Sequence, residues 1–231
     1  MAESFPHSGA RGAAQRLLTL PEQIAESISF DILAGKFKPG DPIREQELAE
    51  RFQVSRGPIR EALRILEKGA VVRIVPQRGA HVTRLTAKEV NQLFEIRRVL
   101  VGLLVREIVP ANDDLLRDLE VHIAGLAQLA HQPDSAEEFT LTSYRISQRL
   151  FSASENEKLV ELLRSLANQT SRYTRLGLSS LERRIESSTA WQVFLDHVRT
   201  GNSEGAAIAL EKLINGSRLA ALKALEATES H

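Results

Sequence analysis

The sequence predicts a mostly α-helical protein. A winged helix-turn-helix of three helices and a small β-hairpin spans residues 20–85, an all-α helical bundle spans 86–228, and a disordered leader covers 1–19. Three observations predict this. Two short amphipathic segments meet at the corner Gln53-Val54, a β-rich stretch broken by turn residues follows them, and from Thr86 onward helical periodicity continues without strand-like alternation.

Pro21 fits the first turn of a helix, and Ile24, Ile28, Ile32 and Leu33 recur at helical spacing until Gly35 ends it. Lys38-Pro39-Gly40-Asp41-Pro42 is a compact turn, and residues 45–52 form a second short helix with Leu48 and Ala49 inward. Ser55 is a good N-cap, and Pro58 is tolerated in the first turn of a third helix reaching about Glu67. Residues 71–75 and 81–83 read as extended segments around the turn Pro76-Gln77-Arg78-Gly79, which makes a wing. Thr86 with Glu89 three residues later is a capping box, opening a long helix whose apolar stripe includes Val90, Phe94, Val101, Leu104 and Ile108. Pro110 stops it. Later helices are expected near 113–131, 136–153, 157–177, 180–200 and 203–227, with breaks at His131-Gln132-Pro133, Ser154-Glu155-Asn156, Gly177 and Gly201-Asn202.

Composition narrows the function. With no cysteine and only one Met, a disulfide framework and a thiolate metal site are excluded, and a cytoplasmic location is expected. The leader has no apolar core of signal-peptide length, and no later stretch approaches membrane-spanning length, so no membrane partner is expected. Thirty basic residues balance thirty acidic ones, but between Arg51 and Arg84 eight basic residues face only Glu61 and Glu67. Such a local stripe suits a phosphate-binding surface.

On a helical wheel, Arg56, Gly57, Arg60 and Arg64 share one arc, while Ile59, Ala62, Leu63 and Leu66 share another. One side packs and the other is left to read DNA. An arginine fork can donate two hydrogen bonds to guanine O6 and N7 in the major groove. Ser55 can offer its hydroxyl or N–H to a phosphate, and Arg78 at the hairpin tip can enter the minor groove or meet phosphate. The ordinary alternative is a row of exposed arginines in weak pairs such as Glu61 with Arg64. The order helix, corner, arginine helix and basic wing favours duplex DNA.

Four segments carry a family resemblance: Gly35-Lys36-Phe37-Lys38-Pro39-Gly40, Glu47-Leu48-Ala49-Glu50, the run from Val54 through Ser55-Arg56-Gly57-Pro58 to Leu63, and Val75-Pro76-Gln77-Arg78-Gly79-Ala80. They resemble the DNA-binding domain of GntR-family bacterial regulators. That resemblance implies DNA contacts at Gln46, Ser55, Arg56, Gly57, Arg60, Arg78 and Gly79. Gly57 stands where Thr is common in the family, and Lys68-Gly69-Ala70-Val71 replaces the usual Glu-Gly-Leu order. Residues 88–225 resemble the FadR-like helical effector domain known as FCD, through Leu93-Phe94-Glu95-Ile96-Arg97-Arg98, the run from Leu150 to Asn156, and Gly201-Asn202 with Ala206. The resemblance implies a homodimer on a pseudo-palindromic operator, repression as the default, and control by a small-molecule effector, with an organic acid expected.

Many FCD relatives hold a divalent metal through an Asp, a His four residues later, and two further His. The corresponding positions here are Ser143, Ser147, Trp191 and Leu213, none of which is a transition-metal ligand, so no metal cofactor is expected. The candidate effector residues are Arg97, Ser143, Tyr144, Ser147, Asn168, Tyr173 and Trp191, with the Arg97 fork suited to a carboxylate. For Arg97 the alternative is an internal ion pair with Glu95 or a neighbouring helix. A rival metal pattern, Asp118 with His122 joined by Asp196 and His197, is more simply an exposed helix pair. No nucleophile–base pair or phosphate loop is visible, so an enzyme is not expected. The alternatives are a constitutive dimeric DNA binder without an effector and an enzyme built on the helical part.

Overall fold

A computed structural model describes residues 18–229, so residues 1–17 of the predicted leader lie outside the described residues. Thr19 opens α1 (Leu20–Leu33), its hydroxyl accepting from the Glu22 N–H while the Glu22 carboxylate accepts from the Thr19 N–H at 2.7 Å. α3 (Arg56–Lys68) packs on α1 around Ile24, Ile28, Ile59 and Leu63, and α2 (Glu45–Phe52) packs on α3. The buried Asp31 carboxylate accepts from Lys36 at 2.7 Å and from Arg51 of α2, tying the helices together. Burial pushes its pKa up, but the hydrogen bonds and charges of Arg51 and Lys36 outweigh that, holding it below the ordinary Asp value.

The wing is larger than the expected hairpin. β1 (Pro42–Ile43), expected as part of a turn and its exit, pairs antiparallel with β3 (Gly79–Val82), which pairs with β2 (Val72–Val75) in the order β1-β3-β2. Two residues are too few to show alternation, and what fixes β1 is the burial of Ile43 in the core. β3 starts two residues early because Gln77 and Gly79 take left-handed conformations, φ 63° and 80°, that close the turn beneath Arg78.

The capping box at Thr86 opens α4 (Ala87–Ile108), followed by α5 (Asp113–Leu129), α6 (Ala136–Ser152), α7 (Glu157–Leu178), α8 (Leu181–Arg199) and α9 (Ser203–Glu229). Their core gathers Phe94, Leu104, Phe139, Phe151 and Phe194. Arg184, 1% exposed, donates to the carbonyls of Leu178 and Ser179 at the end of α7 and of Gln132 and Pro133 before α6. A buried cation there satisfies carbonyls that a helix end leaves unpaired.

The winged part and the bundle meet along α1. Phe30 stands edge-on to Tyr144 of α6, with ring centroids 5.6 Å apart, and the Leu85 N–H donates to the Tyr173 hydroxyl of α7 at 2.9 Å. Gly35 is required here by its backbone, since its φ is +81°; the Arg175 guanidinium that lies over it is the end of a flexible side chain and could give way.

Candidate DNA interface and ligand cavity

α3 divides as its wheel predicts, burying Ile59, Ala62, Leu63 and Leu66 and exposing Arg56, Gly57, Arg60 and Arg64. Ser55 occupies the N-cap position, but its hydroxyl makes no cap hydrogen bond. Pro58, three residues on, fills one of the two positions whose N–H could donate to it, and has no N–H to give. The Ser55 hydroxyl and the first N–H groups of a helix with no acid in its first turn are therefore presented outward together, an arrangement that suits a phosphate.

The arginines are held from α2. Arg60 Nε donates to Glu45 Oε2 at 2.9 Å, and Arg56 Nη2 donates to Gln46 Oε1 at 3.1 Å. Gln46 Nε2 in turn donates to Glu50 at 3.2 Å. Arg64 pairs with Glu61 at 2.7 Å, the ordinary exposed pair of one helical turn. Arg78 and Gly79 sit exposed at the wing tip, and Arg73, Arg78, His81 and Arg84 line a concave cationic surface on the wing. Glu45 carried no sequence signal, since its partner lies fifteen residues away across the corner.

Between the helices of the bundle lies a cavity of about 40 Å³. Arg97 enters it from α4, Thr140, Ser143, Tyr144 and Ser147 from α6, Ser171 and Thr174 from α7, Ser187 and Trp191 from α8, Leu213 and Ser217 from α9, and Leu33 from α1. Five of the seven expected effector residues, Arg97, Ser143, Tyr144, Ser147 and Trp191, thus converge. Asn168 stands one step outside, accepting from the Tyr144 hydroxyl at 2.8 Å. Tyr173 faces away, because the lining positions of α7 are Ala167, Ser171, Thr174 and Leu178, and residue 173 falls on the opposite side of that helix. Sequence reasoning missed the apolar walls Leu33, Ala167, Leu178 and Ile214, and also Thr140, Ser171, Thr174, Ser187 and Ser217, which do carry a signal: small hydroxyls three or four residues from another lining residue.

Arg97 is 7% exposed, and Nη1 donates to Thr170 Oγ1 at 3.0 Å while Nε has no hydrogen-bond partner. The alternative pairing with Glu95 does not form, since two residues apart on α4 the two side chains face different ways, Glu95 exposed and Arg97 buried, and no described carboxylate pairs with Arg97. Burial pulls the guanidinium pKa down to about 10, which leaves it charged at neutral pH. Burial, and then the charge of Glu26, push Tyr144 up to about 12, so its hydroxyl stays neutral. Ser143 Oγ and Thr174 Oγ1 are also buried without partners.

The four positions that the sequence resemblance assigns to metal ligands, Ser143, Ser147, Trp191 and Leu213, all line this cavity, yet their side chains do not suit a transition metal. Ser147 Oγ is directed to the Ser143 carbonyl at 3.1 Å. The rival pattern does not assemble either. Asp118 pairs with Arg149, His122 Nδ1 meets the Asp118 carbonyl at 2.7 Å, and Asp196 is engaged by Gln192 and Arg199. Among the described residues no three His, Asp or Glu side chains converge.

Residues 20–82 match the family model of bacterial regulatory proteins, gntR family, and residues 92–216 match the FCD domain. The HTH-type transcriptional regulator YdhC of Bacillus subtilis (strain 168) is 35% identical over 57% of this chain and 59% of its own length. The gluconate operon transcriptional repressor of Bacillus licheniformis is 33% identical over 51% of this chain and 48% of its own. The chain therefore spans about half of the length of these relatives, which are named as transcriptional regulators, not enzymes. Among solved structures, a transcriptional regulator GntR from Rhodococcus sp. RHA1 shares the fold with a TM-score of 0.70 at 23% identity, covering 88% of this chain and 97% of its own. McbR/YncC of E. coli also reaches 0.70, at 19% identity over 86% of this chain and 95% of its own. No helix among the described residues is long and apolar enough to cross a membrane. With the FCD domain matching more than half of its length behind a GntR-type winged helix, the chain belongs to the GntR family of bacterial regulatory proteins and carries an FCD domain.

Proposed function

We propose that this regulator acts in the cytoplasm as a homodimeric repressor on a pseudo-palindromic operator, and that a small organic acid in the helical cavity changes its affinity for DNA. The observation that carries the ligand half is Arg97, a charged guanidinium buried without a carboxylate, beside the unpartnered hydroxyls of Ser143 and Thr174. Buried polar groups are nearly always satisfied, and a buried cation without an anion is costly. One carboxylate with hydroxyl or keto oxygens would satisfy all three. Arg97 is the only basic residue in the lining and Tyr144 stays neutral, so the charge calls for a monocarboxylate rather than a dicarboxylate. No metal takes part in this reading, because Trp191 and Leu213 offer no ligand atom and the hydroxyls of Ser143 and Ser147 are poor ones.

A cavity of about 40 Å³ holds only a few waters, so an acid of metabolite size must push on its walls. Leu33 is one of those walls, and Tyr144 is another that touches Phe30; both lead to α1 and the winged part. A coupling of about 1–3 kcal/mol between ligand and DNA would be typical. The names of the curated repressors among its relatives support repression as the sign. Dimerisation is supported by α4, where Ile96, Val99 and Leu103 are 52%, 58% and 52% exposed on one face, and by the gain in specificity from two half-sites.

Thermal unfolding of the protein against matched panels of monocarboxylates and dicarboxylates tests the reading, with Arg97→Met alongside. A monocarboxylate is expected to raise the melting temperature and shift operator affinity, and to do neither in Arg97→Met. A response that survives in Arg97→Met would move the ligand elsewhere. Elemental analysis finding one ion per chain would overturn the metal-free site.

A further inference from the structure

An acidic side chain on a surface that meets DNA is repelled by phosphates, and α2 carries one, Glu45, against the reading helix. It is not there to stabilise its own helix alone. Glu47 already supplies an acid in the first turn and pairs with Arg44 at 2.8 Å. Glu45 instead crosses the corner to Arg60, its Oε2 accepting from Nε at 2.9 Å, and is the more sheltered of the two, 35% exposed against 59%. A guanidinium presents two forked edges. Once Nε is engaged, the end-on edge, Nη1 with Nη2, is the one left to donate, and that edge matches guanine O6 and N7. Arg56 is held differently, by the neutral amide of Gln46 on one of its own end-on nitrogens, Nη2.

We propose that Glu45 is a specificity-determining positioning residue, which fixes the Arg60 guanidinium end-on toward a guanine and trades general affinity for discrimination at that base pair. This rests on Arg60 being a base reader. A flexible arginine finds any phosphate or acceptor within reach, whereas one held at Nε is pre-organised for one geometry. Removing Glu45 therefore separates two quantities that a merely structural residue would lower together: binding to random duplex should rise, because a repelled charge is gone, while selectivity should fall.

The test is selection of bound duplexes from a random pool by the full-length protein, with binding to a fixed random-sequence duplex measured beside it, for wild type, Arg60→Ala, Glu45→Ala and Glu45→Gln. Arg60→Ala should flatten one base pair of each half-site. Glu45→Ala should flatten the same base pair, with guanine preference there falling about tenfold, and should bind random duplex about two- to threefold more tightly. Glu45→Gln keeps an oxygen acceptor without the charge, so it should gain the same random-duplex affinity while keeping most of the guanine preference. The inference is overturned if Glu45→Ala keeps the profile that Arg60→Ala loses, which would make Glu45 a simple competitor of DNA. It is overturned equally if Glu45→Ala loses random-duplex affinity together with preference. An unchanged profile in Arg60→Ala would remove the reader itself, and is distinguished from both by that arm alone.

Discussion

At the scale of single residues, the informative positions are those where charge or backbone is held against its ordinary preference. Arg97 is a cation whose folded-state pKa is depressed by burial, so it opposes folding at neutral pH in the absence of an anion. Arg97→Met is accordingly expected to be neutral or to stabilise by about 1–2 kcal/mol in chemical denaturation while losing the ligand response, the opposite of what removing a structural ion pair would do. Asp31 has the reverse sign. Its pKa lies below the ordinary Asp value of 3.8, so its contribution is complete above that pH and is lost as pH falls through the folded pKa. Asp31→Asn should cost about 1–2 kcal/mol at pH 7, and the gap from wild type should close in unfolding experiments carried into the acid range. At Gly57 a Cβ would meet nothing nearer than Ser55 Oγ at 3.8 Å. Gly57→Thr should fold normally and tighten operator binding in a titration, by adding the hydroxyl that the family often has there.

At the scale of elements, the proposed interface has α3 read the bases while the wing holds the DNA backbone. Arg56→Ala should cost about 1–3 kcal/mol on a selected operator and relax one base preference, whereas Arg78→Ala should weaken all sequences alike and lower the salt slope of binding by about one. The elements themselves were largely legible. Thr19, Thr86, Asn112 and Asn156 each accept an N–H at a helix start, and the helical starts and stops in the bundle fall within about two residues of the bounds expected from the sequence. What escaped the sequence was whatever depends on partners distant along the chain. β1 exists because β3 lies beside it, Glu45 matters because α3 folds back over α2, and Tyr173 was misplaced because only the packed bundle shows which side of α7 faces the cavity. The cavity was half legible. Arg97, the aromatics Tyr144 and Trp191, and the hydroxyls Ser143 and Ser147 stood out, while the remaining hydroxyls carry only a spacing signal that is read once the lining is known.

At the scale of the whole molecule, the contact of Phe30 with Tyr144 joins the cavity wall to the winged part beside Leu33, which is itself in the lining. Phe30→Ala is expected to leave ligand-induced thermal stabilisation in place and to weaken the ligand's effect on operator affinity severalfold, measured by titrating DNA with and without ligand. Val99→Glu, placed mid-stripe on α4, should shift the protein toward monomer in sedimentation and lower operator affinity with it. Leu33 has a consequence for how such a protein can be taken apart or recombined. Because the last turn of α1 closes the cavity, the C-terminal half expressed by itself would present that cavity with one wall missing, and should hold the proposed acid more weakly than the intact chain. A chimaera that exchanges winged heads between relatives would exchange part of the ligand's container as well, so each change of operator would retune the chemical sense of the regulator.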